Sequence, residues 1–264
     1  MQTTTVCDFL FADDCALNAT TQQEMQMCMN NFSTACSDFG LTISTKKTEV
    51  MHQPAPGALY TEPLISVNGE HLKAAEKFVY LGSTLSRTAN IDEEVMRRVV
   101  AHGSAAFGRL RSSVWECRGL SLQTKLKVYR AVVLPSLLYA CETWTVYSRH
   151  AKQLNAFHMR CLRRLLNIRW QDKIPDTEVL HRTEMESIHA ILKRSQLRWA
   201  GHVCRMSDER LPKRLLYGEL KHGKRSRGGQ RKRFKDTLKA SLKSCGLDPE
   251  TWEDDRVGYR RRYF

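Results

Sequence analysis

The chain has 264 residues, 42% of them hydrophobic, with a formal net charge of +14 and a pI near 9.5. That is enough apolar material for one large domain or two small ones, but no run reaches the length of a membrane span and the N-terminus does not read as a signal peptide. The basic balance calls for an anionic partner, nucleic acid before a membrane surface.

In chain order, Val6–Phe11 is a short β-prone run, Ala12-Asp13-Asp14 a tight turn and Cys15-Ala16-Leu17 a returning strand, which predicts a hairpin over 5–18. Thr20-Thr21 then cap a helix whose apolar positions, Met25, Cys28, Met29, Phe32, Ala35, Cys36 and Phe39, recur at helical spacing with Gly40 as the stop. Leu41–Met51 suggests a strand, a polar turn at 44–47 and a second strand. Gln53–Pro63, with three prolines and a glycine, reads as an exposed loop. Leu64–Val67 and His71–Lys73 flank Asn68-Gly69, a strong hairpin pair, and Phe78–Gly82 is a further strand.

From Ile91 the pattern turns helical, over about 91–116, 121–141, 149–168, 175–182 and 186–204. The charge changes with it. Residues 1–90 hold 5 Lys and Arg against 9 Asp and Glu, whereas 91–264 hold 37 against 19. Beyond Pro212 the chain reads as irregular, with a glycine-rich basic loop at 221–233 and a last amphipathic helix from Phe234 to Cys245. Three regions are expected: an α+β part at 1–90, a helical part at 91–204 and a basic C-terminal region at 205–264. The nine cysteines are odd in number, lack any Cys-x-x-Cys, and read as mostly buried free thiols of an intracellular protein. His158/Cys161 and His202/Cys204 are the closest His–Cys pairs, and neither has zinc-site spacing.

Adjacent carboxylates on a turn suit a hard divalent ion such as Mg²⁺, although an Asp-Asp turn is also an ordinary solvated loop. The tetrapeptide Phe11-Ala12-Asp13-Asp14 is followed in order by Phe39-Gly40-Leu41, Lys46-Lys47-Thr48-Glu49-Val50-Met51 and Phe78-Val79-Tyr80-Leu81-Gly82-Ser83. Farther on come Tyr139–Trp144, Arg198–Val203 and Gly228-Gly229-Gln230-Arg231. This series resembles the reverse transcriptases of non-LTR (LINE-type) retroelements, from the catalytic palm hairpin onward. The resemblance implies part of a palm followed by an all-α thumb-like bundle, with RNA-templated DNA synthesis as the ancestral activity. It implies Asp13 and Asp14 as the catalytic Mg²⁺ ligands, Lys46 or Lys47 near the incoming nucleotide, and Tyr80, Leu81 and Gly82 at the primer grip. In that family a further catalytic Asp and the fingers precede the Asp-Asp turn. The chain is therefore expected to be a truncated copy, inactive by itself, with an upstream finger–palm fragment as a candidate partner.

Arg97, Arg98, Arg109, Arg111, Lys125, Lys127 and Arg130 on two successive helices, and Arg160, Arg163 and Arg164 on a third, are interleaved with Trp115, Trp144, Trp170 and Trp199. Such a mixture suits a groove for RNA or DNA; the alternative is tryptophans in a core and charges on solvated faces. Lys224, Arg225, Arg227, Arg231, Lys232 and Arg233 would bind phosphates without reading sequence, and their run also resembles a nuclear-localisation stretch. A nucleic-acid-binding protein without chemistry is thus the rival reading.

Overall fold

Asp8–Phe11 (β1) and Asp14–Leu17 (β2) pair antiparallel, with Phe11 opposite Asp14 across a two-residue turn. The computed structural model describes residues 6–54, 58–87, 91–218 and 232–252. Helix α1 (Gln22–Asp38) starts where the Thr21 hydroxyl accepts the Glu24 N–H. It ends in a left-handed Gly40 (φ +68°), with the Leu41 N–H returning to the Cys36 carbonyl. That closure takes up the chain at 40–41, and the Lys47 and Thr48 N–H groups both turn back to the Ser44 carbonyl. The strand expected from Leu41 is therefore absent, and extended pairing begins only at Glu49–Val50 (β3).

Ser66–Val67 (β4) and Glu70–His71 (β5) form the hairpin around Asn68-Gly69, both at positive φ. Lys73–Ala74 (β6) pairs with β3 in parallel, so the small sheets are not all antiparallel. Lys77–Tyr80 (β7) and Ser83–Ser86 (β8) make a last hairpin. Leu81 and Gly82, expected inside a strand, are its turn, with φ of +47° and +76°. Helix α1 lies against β4. The Gln26 side-chain amide accepts the Ser66 N–H at 2.9 Å and donates to the Ser66 carbonyl at 2.8 Å, imitating a neighbouring strand. The core here is thin: Met29, Ile65, Val67 and Leu72 are buried, edged by Leu17, Met25, Ile43 and Val50.

The described residues from Ile91 onward form a separate unit. Asp92–Arg97 (α2) opens with three acidic residues in its first turn, favourable to the helix dipole. Widened π-type turns at Arg98–Gly103 and Arg111–Trp115 surround Ser104–Arg109 (α3), so the expected single helix 91–116 is interrupted twice. Leu122–Val128 (α4), capped by Ser121, runs through a third π segment, Tyr129–Val133, into Leu134–Leu138 (α5). Ser148–Leu165 (α6), Asp176–Thr183 (α7) and Ile188–Cys204 (α8) follow. Gly103 is buried because a Cβ there would stand 3.1 Å from Leu137 Cδ1 and from Phe157 Cε1. Val95, Phe107, Tyr129, Leu137, Leu154 and Leu162 lie at the centre of the core.

Leu211–Tyr217 (α9) was not expected. The chain beyond Pro212 reads as irregular, but Pro212 sits in this helix's first turn, where a missing N–H costs nothing. Phe234–Ser244 (α10) lies where predicted, and Leu238 and Leu242 bury against Leu197, Ala200 and Cys204 of α8. The protein is thus α+β. Only Cys141, Cys161 and Cys204 of the nine cysteines are buried; the others lie on half-buried faces or, like Cys7 and Cys15, on the exposed first hairpin. No described helix is long and apolar enough to cross a membrane.

Candidate metal hairpin and nucleic-acid interface

The β1–β2 hairpin presents Asp13 at its turn and Asp14 as the first residue of the return strand, both exposed. Ala12 takes the left-handed conformation (φ +51°) that makes so tight a reversal possible. The nearby charge is felt by Cys15: partial burial, then the Cys36 thiol, then Asp14 and Asp13 push its thiol pKa up.

The Tyr80 hydroxyl donates to the Phe9 carbonyl at 3.0 Å. This bond ties the end of β7, and so the Leu81-Gly82 turn, to the strand that leads into Asp13-Asp14. Two segments 71 positions apart in sequence, both singled out above, are thereby neighbours. Lys46 and Lys47 are exposed on the turn that follows α1, and no hydrogen bond or ion pair among the described residues brings them to the carboxylates. The donor chemistry of Asp13 and Asp14 fits Mg²⁺, which takes hard oxygen ligands. Their number does not complete a site, since no three His, Cys, Asp or Glu side chains among the described residues converge as a ligand set. No catalytic step follows from the two carboxylates alone.

In the helical unit the cations sort into two kinds. Arg98 is 4% exposed, with Nε 2.6 Å from a Glu94 carboxylate that is itself 3% exposed, and its guanidinium lies over the Tyr139 ring at 4.8 Å. It is a core cation and cannot face a phosphate. Arg97 shares Glu94 at 3.2 Å. Arg111 pairs with Glu116, which Arg164 also approaches at 3.7 Å. Lys125 donates to the Trp115 carbonyl and Arg130 to that of Glu184. Arg109 and Lys127 are exposed. Lys232 sends its backbone N–H to the Tyr147 hydroxyl, and the Arg233 N–H is capped by Asp236. Lys224, Arg225, Arg227 and Arg231 lie outside the described residues.

The tryptophans sort as well. Trp115 and Trp144 are core; Trp115 stacks on Phe107 and donates Nε1–H to the Phe107 carbonyl. Trp199 meets Phe234 edge-on. Trp170 alone of these four is strongly exposed, at 84%.

An open cleft of about 440 Å³ runs between α6 and α8. Lys152, Asn155, Arg160 and Arg163 come to it from α6, His189 from α8, and Asp176 from the start of α7. Asp176 is matched by Arg163 at 2.7 Å, so Lys152 and Arg160 remain as uncompensated cations among the described residues. Lys152, Asn155 and His189 were missed in the sequence. The spacing 152, 155, 160, 163 marks one face of α6, but His189 joins it only through the packing of α8. A second cleft, about 560 Å³ beside α5, holds Arg130 and Arg194 with Glu184 and Glu186; Arg194 is paired with Glu186. It has little uncompensated charge to offer an anion.

An exposed acidic hairpin in an α+β unit, with a basic helical unit after it, is the class of protein that these observations define. In comparison with known proteins, the chain is 27% identical over 249 residues to a transposon-derived protein of Caenorhabditis elegans, covering 91% of this chain and 86% of that one. It is 25% identical over 120 residues, 44% of this chain, to the RNA-directed DNA polymerase from mobile element jockey of Drosophila funebris, and 23% identical over 117 residues to that of Drosophila melanogaster. The matched region is 13% of each jockey polymerase. These similarities support a retrotransposon origin. No protein-family model matches the chain, and no solved structure matches it significantly.

Proposed function

We propose that this chain carries the metal-binding hairpin and the nucleic-acid-holding helical part of a retroelement RNA-directed DNA polymerase. The observation that carries this reading is the Tyr80–Phe9 hydrogen bond, which sets the candidate primer-grip hairpin against β1, the strand that leads into Asp13 and Asp14. The similarity to the jockey polymerases supports it. In this reading β1–β8 with α1 are palm, and the helices from α2 onward are thumb-like. Asp13 and Asp14 would hold Mg²⁺ together with a third carboxylate from a separate palm strand, and the metal would supply charge stabilisation for phosphoryl transfer. Lys46 or Lys47 meets the nucleotide. Strand β1, which leads into the acidic pair, also offers exposed apolar side chains, Phe9, Leu10 and Phe11, on which further palm structure can pack.

The 264-residue chain by itself is expected not to extend a primer with Mg²⁺ or Mn²⁺. Adding a separately expressed finger–palm half from a related element should restore extension, and Asp13→Ala or Asp14→Ala should abolish it again. Extension that survives both substitutions would overturn the assignment of the carboxylates.

The α6–α8 cleft favours a second reading, nucleic-acid binding without chemistry. Here RNA or DNA binds in a salt-dependent, sequence-tolerant way, and a Lys152→Glu/Arg160→Glu variant binds more weakly with unchanged thermal stability. The two readings part on whether the finger–palm half restores extension.

A further inference from the structure

We infer that Trp170 is a base-stacking residue for single-stranded nucleic acid, presented by a pinned loop between α6 and α7; this rests on the nucleic-acid reading above. The loop begins at Asn167 and ends at Lys173, both left-handed, with φ of +54° and +49°. Ile168 and Ile174 on its two sides pack against the core. The Ile168 N–H donates to the Arg163 carbonyl at 2.9 Å, and the Arg163 guanidinium donates to the Ile174 carbonyl at 2.9 Å. At the tip, Trp170–Asp172 form a single 3₁₀ turn, and the Asp172 carboxylate accepts the Arg169 N–H at 2.7 Å. The loop is anchored at both flanks and braced in the middle, so it holds its one aromatic side chain in water by construction.

That side chain is unusual in this molecule. Trp115, Trp144 and Trp252 are all under 10% exposed, whereas Trp170 is 84% exposed, and its indole N–H has no partner among the described residues. A single exposed apolar residue is ordinary; a tryptophan on a braced loop between cations is a platform. Of the cations at 160–173, Arg163 is matched by Asp176 and Arg164 approaches Glu116, which leaves Arg160, Arg169 and Lys173 without a carboxylate partner among the described residues, and the one acid in the stretch, Asp172, is occupied in capping. A ring able to take the face of any base, on a loop that also carries the unmatched cations Arg169 and Lys173, is the combination by which single strands are held without sequence preference. The charge complementarity favours a polyanion over an apolar protein surface.

The test uses the full chain, fluorescently labelled dT20 and U20, an abasic strand of equal length, a 20-bp duplex, and anionic phosphatidylserine vesicles. Trp170→Ala should weaken binding to dT20 and U20 by about 5- to 150-fold. Trp170→Phe should regain most of the loss. The abasic strand and the duplex should bind wild type and Trp170→Ala alike, and the melting temperature should not move, because the ring contacts little. Equal binding of the base-bearing strands by wild type and Trp170→Ala would overturn the inference and leave the nucleic-acid reading standing. So would an equal loss on the abasic strand, which would make the effect one of charge or loop shape. A loss confined to vesicles would make Trp170 a membrane contact. Failure of wild type to bind any strand at low salt would remove the wider reading and this one with it.

Discussion

Glu94 and Arg98 offer the sharpest test of how the helical unit uses its charge. Both are almost wholly buried, 2.6 Å apart one turn along α2, and Arg98 is sandwiched against Tyr139. A buried pair of this kind adds little over an apolar replacement, but removing one partner strands a charge in the core, at about 3–5 kcal/mol. Glu94→Gln should destabilise by about that amount, which lowers the melting temperature of a unit this size by roughly 6–20 °C, and Arg98→Met by less, because Glu94 keeps Arg97 at 3.2 Å. Arg97 also loses its carboxylate in Glu94→Gln, but it lies nearer the surface, where water can take over. The double variant Glu94→Leu/Arg98→Met should recover most of the loss. Urea denaturation followed by the fluorescence of the buried Trp115 and Trp144, together with U20 affinity at a fixed salt concentration, reads the cycle. Single substitutions costing less than about 1 kcal/mol would refute the reasoning. So would an Arg98→Met protein of normal stability and weakened U20 binding, for then Arg98 would face nucleic acid after all.

Other consequences follow from local geometry. Ala12 pays for a left-handed φ, so Ala12→Gly should slow hydrogen exchange of the β1–β2 amides, corresponding to about 0.5–1 kcal/mol after allowing for the extra freedom of glycine in the unfolded chain. Gly103→Ala should destabilise the helical unit by about 1–3 kcal/mol, because its methyl meets Leu137 and Phe157 at 3.1 Å and neither is a loose surface chain. His158 is buried, with Nδ1 2.9 Å from the Tyr129 hydroxyl, and burial depresses its pKa from 6.5 to about 4. The unfolded chain then binds the proton more readily between those values, so this contribution is complete above pH 6.5 and is lost as pH falls towards 4, amounting to about 3 kcal/mol at the lower end. Denaturation at pH 7 and pH 4.5 should show that slope in wild type and a flatter one in His158→Phe.

The parts of the fold that could be read in the sequence were those that short-range chemistry decides. Helix α1 announces itself by period, a threonine cap and Gly40, and the β4–β5 hairpin by Asn68-Gly69, whose φ values that pair tolerates. Leu81-Gly82 makes the same kind of turn, but leucine is a poor left-handed residue, so the β7–β8 hairpin was hidden behind a strand-like run. The π-type turns at 98–103, 111–115 and 129–133 carry no compositional mark, because they arise where helices adjust to one another in the core. Helix α9 is hidden in the sequence because it is short and carries a proline, which stops a helix in its middle yet opens one in its first turn. At the acidic hairpin the two carboxylates were legible, while their link to Tyr80 depends on a contact across 71 positions that no local pattern contains.

Charge was the signal most easily overread. Residues 91–264 carry 37 basic residues, yet Arg97, Arg98, Arg111, Arg163, Arg182 and Arg194 are each matched by a nearby carboxylate. A cation already paired releases few counterions when a phosphate approaches, so the salt dependence of binding should report the unmatched cations and not the total. Lys152 and Arg160 in the α6–α8 cleft are such cations. If each contacts one phosphate, the Lys152→Glu/Arg160→Glu variant should lower the slope of log affinity against log salt by about 1.4 on single strands and about 1.8 on duplex. Glutamate at the exposed Lys239, whose partner is Glu250, should leave the slope nearly unchanged. A change at Lys239 half as large as that of the double variant, in proportion to the charge reversed, would mean that net charge alone governs binding and that the cleft has no special part in it.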